Sequence, residues 1–227
     1  EDVRSTVTPA VAPHTGTKLL YINFSRDEFK LGGSSLAQVL NLLGDEVPTI
    51  RDDAYFAKAF NAVQSLIKQG LVLAGHDVSE GGMITALLEM TFSVPDVGMN
   101  IDLTALNSDL IPVLFSENPG VILQVSDDAL AKDLLLTSGI GCVVLGEVTR
   151  KRTLEITSGG TTQTLDIDSL RDTWYKTSYL LDSKQRSSLY AEQRFKNYKH
   201  QKLEYIFPSS FIGKPGSLGI ELNRKKC

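Results

Sequence analysis

Apolar residues along the chain fall into two rhythms, and the point where one gives way to the other organises the rest. Leu71 to Ala74 is a short apolar run with the length and composition of a buried strand, and it is followed by Gly75-His76-Asp77-Val78-Ser79-Glu80-Gly81-Gly82. Beyond the glycines, Met83, Ile84, Leu87 and Leu88 recur at helical spacing. The stretch therefore reads as strand, tight polar loop, helix start.

The same rhythms predict the remaining elements. Strands are expected at Leu19 to Phe24, Val97 to Leu103, Val121 to Val125 and Cys142 to Leu145 with Val148. Thr153 to Thr157 and Thr162 to Ile167 alternate around Ser158-Gly159-Gly160-Thr161, which predicts a hairpin. Helices are expected after the paired acids Asp52-Asp53 and Asp127-Asp128, ending at Gly70 and Gly139. In the first of these, Phe56, Phe60, Val63 and Ile67 form the core face. A further amphipathic stretch runs through Leu36, Val39, Leu40 and Leu43 after Gly32-Gly33-Ser34-Ser35, and Leu110 to Phe115 is compatible with either strand or helix. Trp174, Tyr175, Tyr179 and Leu180 predict a helix lying on the domain. Strands and helices that both alternate and cluster favour an α+β fold: a mixed β-sheet with helices packed on one face.

Domain limits follow from composition. Residues 1–17 carry prolines and small polar residues and read as a connector rather than the start of a core, which the family resemblance described below makes a connector from a preceding domain. Residues 18–182 form the domain, and residues 183–227, rich in Lys and Arg with turn signals near the end, read as a basic linker. A net charge of −4 and a pI near 5.4 argue against a dedicated nucleic-acid binder. No apolar run is long enough for a membrane span, which leaves no membrane expected as partner. Two cysteines, Cys142 in an apolar run and Cys227 at the end, are too few for a disulfide framework or a zinc site, so a cytoplasmic setting is expected.

The candidate chemistry sits in the central loop. Ser79 stands where an N-cap is wanted, and Gly81 and Gly82 leave backbone N–H groups uncovered in the first helical turn, where an anion such as phosphate is favoured. Asp77 adds a hard oxygen ligand suited to Mg²⁺, which takes one or two carboxylates and fills its other positions with water and phosphate oxygens. The same residues also fit a capped helix beside a solvated acid, and residue types alone leave both readings open. His76 at the strand end and Glu117 in Phe115-Ser116-Glu117-Asn118-Pro119-Gly120 are weaker candidates, as is the Gly-Gly-Ser-Ser loop.

Taken together, GHDVSEGGMITALLEM, the preceding LGGSSLAQV and Ile50-Arg51-Asp52-Asp53, and the following FSENPG and TWYKTSYLLD resemble the phosphoribosylformylglycinamidine synthase family of the purine pathway. The likeness is to the second C-terminal-type domain of the large single-chain form, a domain shared with aminoimidazole ribonucleotide synthetase. It implies an AIR synthetase C-terminal-domain-like fold and a fragment of an ATP- and glutamine-dependent ligase that makes formylglycinamidine ribonucleotide from formylglycinamide ribonucleotide. It also implies Asp77 as a Mg²⁺ ligand and Ser79 as a contact to ATP or ADP, with Glu80 a conservative partner of the Asp found in many relatives. The expected partners are ATP, formylglycinamide ribonucleotide and other domains of the same enzyme, including a glutamine amidotransferase domain beyond the basic linker. Neither Cys142 nor Cys227 matches the glutaminase nucleophile, so no catalytic residue is expected here and the isolated chain should be silent. A noncatalytic scaffold domain of a larger enzyme is the alternative.

Overall fold

The computed structural model describes residues 5–106, 109–200 and 207–218. Its centre is a seven-stranded sheet in the order β2-β4-β1-β5-β3-β6-β7. The strands are β1 (Lys18–Asn23), β2 (Val72–Val78), β3 (Gly98–Asp102), β4 (Gly120–Val125), β5 (Val143–Thr149), β6 (Thr153–Ser158) and β7 (Thr161–Asp166). Neighbours are antiparallel except β3 and β6, which run parallel, so the sheet is mixed as expected. The helices are α1 (Ser35–Val39), α2 (Asp53–Lys68), α3 (Gly82–Phe92), α4 (Leu110–Phe115), α5 (Asp128–Thr137), α6 (Ile167–Gln185) and α7 (Ser188–Lys196).

The α+β class and mixed sheet stand, but helices cover both faces rather than one. Strand β1 shows why. Leu19 and Tyr21 point into a core with Met83, Leu87 and Met90 of α3, while Leu20 and Ile22 point the other way onto Ala59, Val63 and Leu66 of α2 and Leu135 of α5. A strand with no polar position between its ends reads as continuous apolar sequence because both of its faces are buried. Burying one of these Leu or Ile side chains contributes about 1.5–3 kcal/mol, so neither face could be left wet.

Local capping agrees with the sequence where the acids are paired. Asp52 accepts from the Tyr55 N–H at 2.9 Å and Asp127 from the Leu130 N–H at 3.0 Å, each closing the first turn of its helix. The buried face of α2 is Ala59, Ala62, Val63 and Leu66. Phe60 is instead half exposed at 50%, because the sheet selects the stripe one position away from the larger residues. Leu110 to Phe115 resolves as a helix, since Asp109 caps it through Ile111 N–H and Pro112 falls in the first turn, where its missing donor costs nothing. The amphipathic stretch after Ser34 forms helix only as far as Val39, and Asn41 turns the chain with φ 57°.

The flanking segments pack on the domain. Val11 is buried, its N–H donates to Met90 O at 2.9 Å, and buried Gln124 exchanges hydrogen bonds with both backbone groups of Ala12. Within the basic segment, α7 and the 3₁₀ turn Asn197–His200 fold back on α6. Buried Arg171 lies against three rings, Tyr175, Phe195 and Tyr198, at 4.7, 4.9 and 3.7 Å from their centroids, and donates to Phe195 O. Asp168 joins this turn to the sheet by pairing with Lys199 at 2.7 Å and Arg152 at 2.9 Å. Among the described residues, no helix is long and apolar enough to cross a membrane.

Candidate functional site

Strand register gathers the candidate residues at one end of the sheet. Asn23 of β1 and Val78 of β2 both lie opposite Gly120 of β4, and Tyr21 lies opposite Val143 of β5. The loops that leave β1 and β2 and the loops that lead into β4 and β5 therefore share an edge. Both Gly-rich helix starts, the Ser-Glu-Asn-Pro turn and Cys142 meet there.

Asp77 is not in the loop. Strand β2 runs on through Val78, because its hydrogen bonds to β4 persist across the polar residues Gly75 to Asp77. On this edge strand the Asp77 side chain is 72% exposed and faces solvent. Its neighbour His76 is largely covered, with Nδ1 at 2.7 Å from Asp77 O and Nε2 at 3.2 Å from Glu89 Oε2 on α3. His76 thus ties the strand end to the helix. Among the described residues, no group of three or more His, Cys, Asp or Glu side chains converges as a metal cluster. A single outward carboxylate still fits the way Mg²⁺ is held when water and phosphate supply the other oxygens.

Ser79 is exposed and does not cap α3. The N-cap is Gly81, in the left-handed region at φ 84° and without a side-chain cap bond, and Gly82 follows at φ 75°. A Cβ on Gly82 would lie 2.5 Å from Leu114 O and 2.8 Å from Phe115 Cα, so the second glycine is required by the close approach of the α4 end as well as by its φ. Ser79 contributes its carbonyl, which accepts from Gly82 N–H at 2.9 Å.

The N–H groups expected to lie open for an anion are already taken at this point. Glu117 Oε1 accepts from Gly81 N–H at 2.9 Å and from Ser35 N–H at 2.8 Å. One carboxylate oxygen therefore occupies the anion position at both glycine-rich helix starts and binds them together. The Gly32-Gly33-Ser34 turn is closed in the same way, with its N–H groups donating to Glu46 O, Leu43 O and Leu31 O. Here the sequence had Glu117 only as a turn acid or a weak candidate. Its partners lie 82 and 36 residues away, and nothing local in FSENPG announces them. Beside it, fully buried Asn118 donates to Ser25 Oγ and Glu28 O, fixing the β1 loop.

A second polar cluster missed by sequence reading lies in that β1 loop. The Asp27 side chain is almost wholly buried and accepts from Thr49 and Glu28 N–H, with Arg51 at 3.0 Å and Lys30 at 3.4 Å. Burial pushes its carboxyl up, but Arg51 and the surrounding donors outweigh this and hold its pKa at about 2. A cleft of about 450 Å³ opens alongside, lined by Tyr21, Arg26, Phe29, Tyr55 and Cys142 among others. Arg26 lies 4.9 Å over the Tyr55 ring. Burial pushes the Cys142 thiol up, the opposite of an activated nucleophile. Asp77 and Ser79 do not line this cleft.

Residues 18–159 match the family model described as AIR synthase related protein, C-terminal domain. The chain belongs to that family. A probable phosphoribosylformylglycinamidine synthase of Arabidopsis thaliana, named chloroplastic/mitochondrial, is 35% identical over an alignment of 219 positions that covers 92% of this chain and 15% of that protein. The Homo sapiens phosphoribosylformylglycinamidine synthase is 35% identical over an alignment of 188 positions that covers 80% of this chain and 14% of that protein. The chain thus spans about a seventh of the length of these curated relatives. Thermotoga maritima PurL complexed with ATP shares the fold with a TM-score of 0.58 at 13% identity, over 74% of this chain and 28% of that one. The same protein complexed with FGAR gives 0.58 at 14% identity, over 74% and 30%.

Proposed function

We propose that this chain is the AIR-synthase-related C-terminal domain of a longer phosphoribosylformylglycinamidine synthase. In the cytoplasm, that enzyme converts formylglycinamide ribonucleotide, ATP and glutamine to formylglycinamidine ribonucleotide, ADP, phosphate and glutamate. The observation that carries the reading is 35% identity to a synthase across 92% of this chain. Residues 1–17 are the connector from the preceding domain, 18–182 the domain itself, and 183–227 the lead toward the glutamine amidotransferase domain.

Within the enzyme this chain contributes half of a Mg²⁺-nucleotide site. Asp77, outward on the edge strand, holds the cation, and Ser79 beside it contacts the nucleotide. Bound there, the cation would neutralise phosphate charge. His76, anchored to Glu89, positions the strand end that carries Asp77. With one carboxylate available, the other ligands come from water, phosphate and a second domain, so the chain alone is silent.

The test is calorimetric titration of the full-length enzyme with ATP and Mg²⁺, with and without Asp77→Ala. Loss of one Mg²⁺ ligand weakens Mg²⁺-dependent binding by about tenfold or more, equivalent to about 1.4 kcal/mol. Because Asp77 is exposed, stability moves by no more than about 0.5 kcal/mol. Unaltered binding, or a large stability loss, overturns the assignment. It favours a scaffold domain instead, a reading supported by Glu117 filling the anion position at α3 with the chain's own carboxylate.

A further inference from the structure

The cleft between the loop that leaves β1 and the start of β5 has a volume of about 450 Å³, within the range of roughly 300–1,000 Å³ usual for small-molecule pockets. Neither Asp77, Ser79 nor Glu117 lines it. Tyr21 does, and it is the informative side chain. Only 2% of the residue is exposed, yet among the described residues its hydroxyl has no hydrogen-bond partner. Buried polar groups are as a rule paired, and leaving one unpaired costs about 1–3 kcal/mol. The ring itself is fixed by stacking on Phe29, with centroids 6.3 Å apart. Burial alone pushes the phenol up, so it stays protonated and is able to donate.

Most other polar side chains around the cleft are already engaged. Asn23 Oδ1 accepts from the Ser25 N–H and hydroxyl, and its amide donates to Asp27 O. Asp27 is taken up by Thr49, Glu28, Arg51 and Lys30. The side-chain groups left over are the Tyr21 hydroxyl, the Cys142 thiol, which burial keeps protonated, and the Arg26 guanidinium, and each of them donates. Arg26 is set in place by its backbone and by a ring. Its φ of 53° lies in the left-handed region, which costs a residue other than glycine about 1–2 kcal/mol, and its guanidinium rests 4.9 Å over Tyr55. The ion pair it makes with Asp52 is long, at 3.4 Å, and Asp52 also caps α2 through its other oxygen. A guanidinium with 57% of its side chain open is thus free to take a better partner.

We propose that this cleft binds a small organic oxyanion, a carboxylate or phosphate group carried on a flat apolar body. The oxyanion accepts from the Tyr21 hydroxyl and from Arg26, and the body lies against Phe29. Such a ligand supplies what the chain does not: an acceptor for a buried hydroxyl and a negative charge for a guanidinium whose own carboxylate is distant and shared. A cation would meet only donors here, and a neutral ring would leave Arg26 unanswered. The proposal goes beyond the synthase reading, and since no metal ligand is involved it stands apart from the role of Asp77.

Cys142 is the reporter, because it lines the cleft and is a free thiol. In the full-length enzyme its alkylation by iodoacetamide is followed by peptide mass while phenyl phosphate or benzoate is titrated in. At saturation at least one of the two is expected to slow alkylation by about tenfold, and the more effective one names the oxyanion. Inorganic phosphate and benzyl alcohol, each carrying half of the recognised chemistry, are expected to need at least about tenfold higher concentrations. Tyr21→Phe and Arg26→Gln should each raise the concentration for half protection by about tenfold. Tyr21→Phe should do so with an unchanged melting temperature, since the hydroxyl it removes has no partner within the chain. No protection by either probe overturns the proposal, as does equal protection in the two variants. A Cys142 that fails to react in the ligand-free enzyme also overturns it, because another part of the protein then fills the cleft. Protection by Mg²⁺-ATP at lower concentration than either probe overturns it too and assigns the cleft to the nucleotide. Protection by phenyl phosphate or benzoate that survives Asp77→Ala supports a separate site, whatever that variant does to Mg²⁺-ATP binding.

Discussion

Replacing Glu117 by alanine tests the central physical claim about the site end. The substitution removes one carboxylate oxygen that accepts two backbone N–H groups at 2.8 and 2.9 Å, and it leaves both donors without their partner. Hydrogen bonds to a charged group contribute about 1.5–3 kcal/mol each. Glu117 is only partly buried, so water can reach the vacated groups and the low end of that range applies, giving about 3 kcal/mol for the pair. For a chain of this size that loss lowers the melting temperature by roughly 6–12 °C. Glu117→Gln keeps an acceptor oxygen in place and should recover about half of the loss. Urea and thermal unfolding of the three proteins at neutral pH measure both effects. An alanine variant within about 0.5 kcal/mol of the wild type would refute the idea that this oxygen ties the two helix starts together. Full loss in the glutamine variant would instead mean that charge at the helix N-termini matters more than the acceptor.

Three further outcomes follow from other parts of the fold. Gly82→Ala places a methyl group 2.5 Å from Leu114 O at φ 75°, and should destabilise by more than about 2 kcal/mol in the same unfolding assay; a neutral effect would mean the α4 end can move away. Asp27 has a folded pKa of about 2 against an ordinary 3.8, so its contribution to stability is full above about pH 4 and is lost as the pH falls toward 2. The stability gap between wild type and Asp27→Asn should therefore close over that interval, and a gap independent of pH would remove the ionised cluster as its cause. Arg171→Ala empties the ring cage and frees Phe195 O, and should cost about 2–4 kcal/mol while opening the α6–α7 connection to limited proteolysis; unchanged cleavage there would show that the aromatic contacts hold α7 without the cation.

Much of the fold was legible because it depends on short-range physics. Apolar runs and period-two patterning located the strands, 3.6-residue patterning located the helices, and the acids at Asp52 and Asp127 marked helix starts through bonds to N–H groups three residues on. The hairpin of β6 and β7 needed only alternation around Gly159-Gly160. Where tertiary packing competes with local preference, the sequence misled. Ser79 has the chemistry of an N-cap, yet the approach of Leu114 and Phe115 to Gly82 sets the helix start at Gly81. Asp77 follows a glycine and a histidine, a break in apolar pattern, but ladder bonds to β4 carry the strand past it. The amphipathic run to Leu43 looks like a longer helix than the one that forms.

By itself, then, the sequence determined most of the strands and the longer helices of the domain, the paired acids that cap α2 and α5, and the residues that carry the family likeness, since each depends on neighbours a few positions away. Only the tertiary structure decided that both sheet faces are covered, that Glu117 rather than an outside anion binds the two glycine-rich turns, and that the apolar residues from Val39 to Leu43 stand exposed. Those outcomes depend on groups tens of residues apart meeting at one sheet edge. No local pattern encodes such a meeting, because register and packing are set by the summed burial of the whole core.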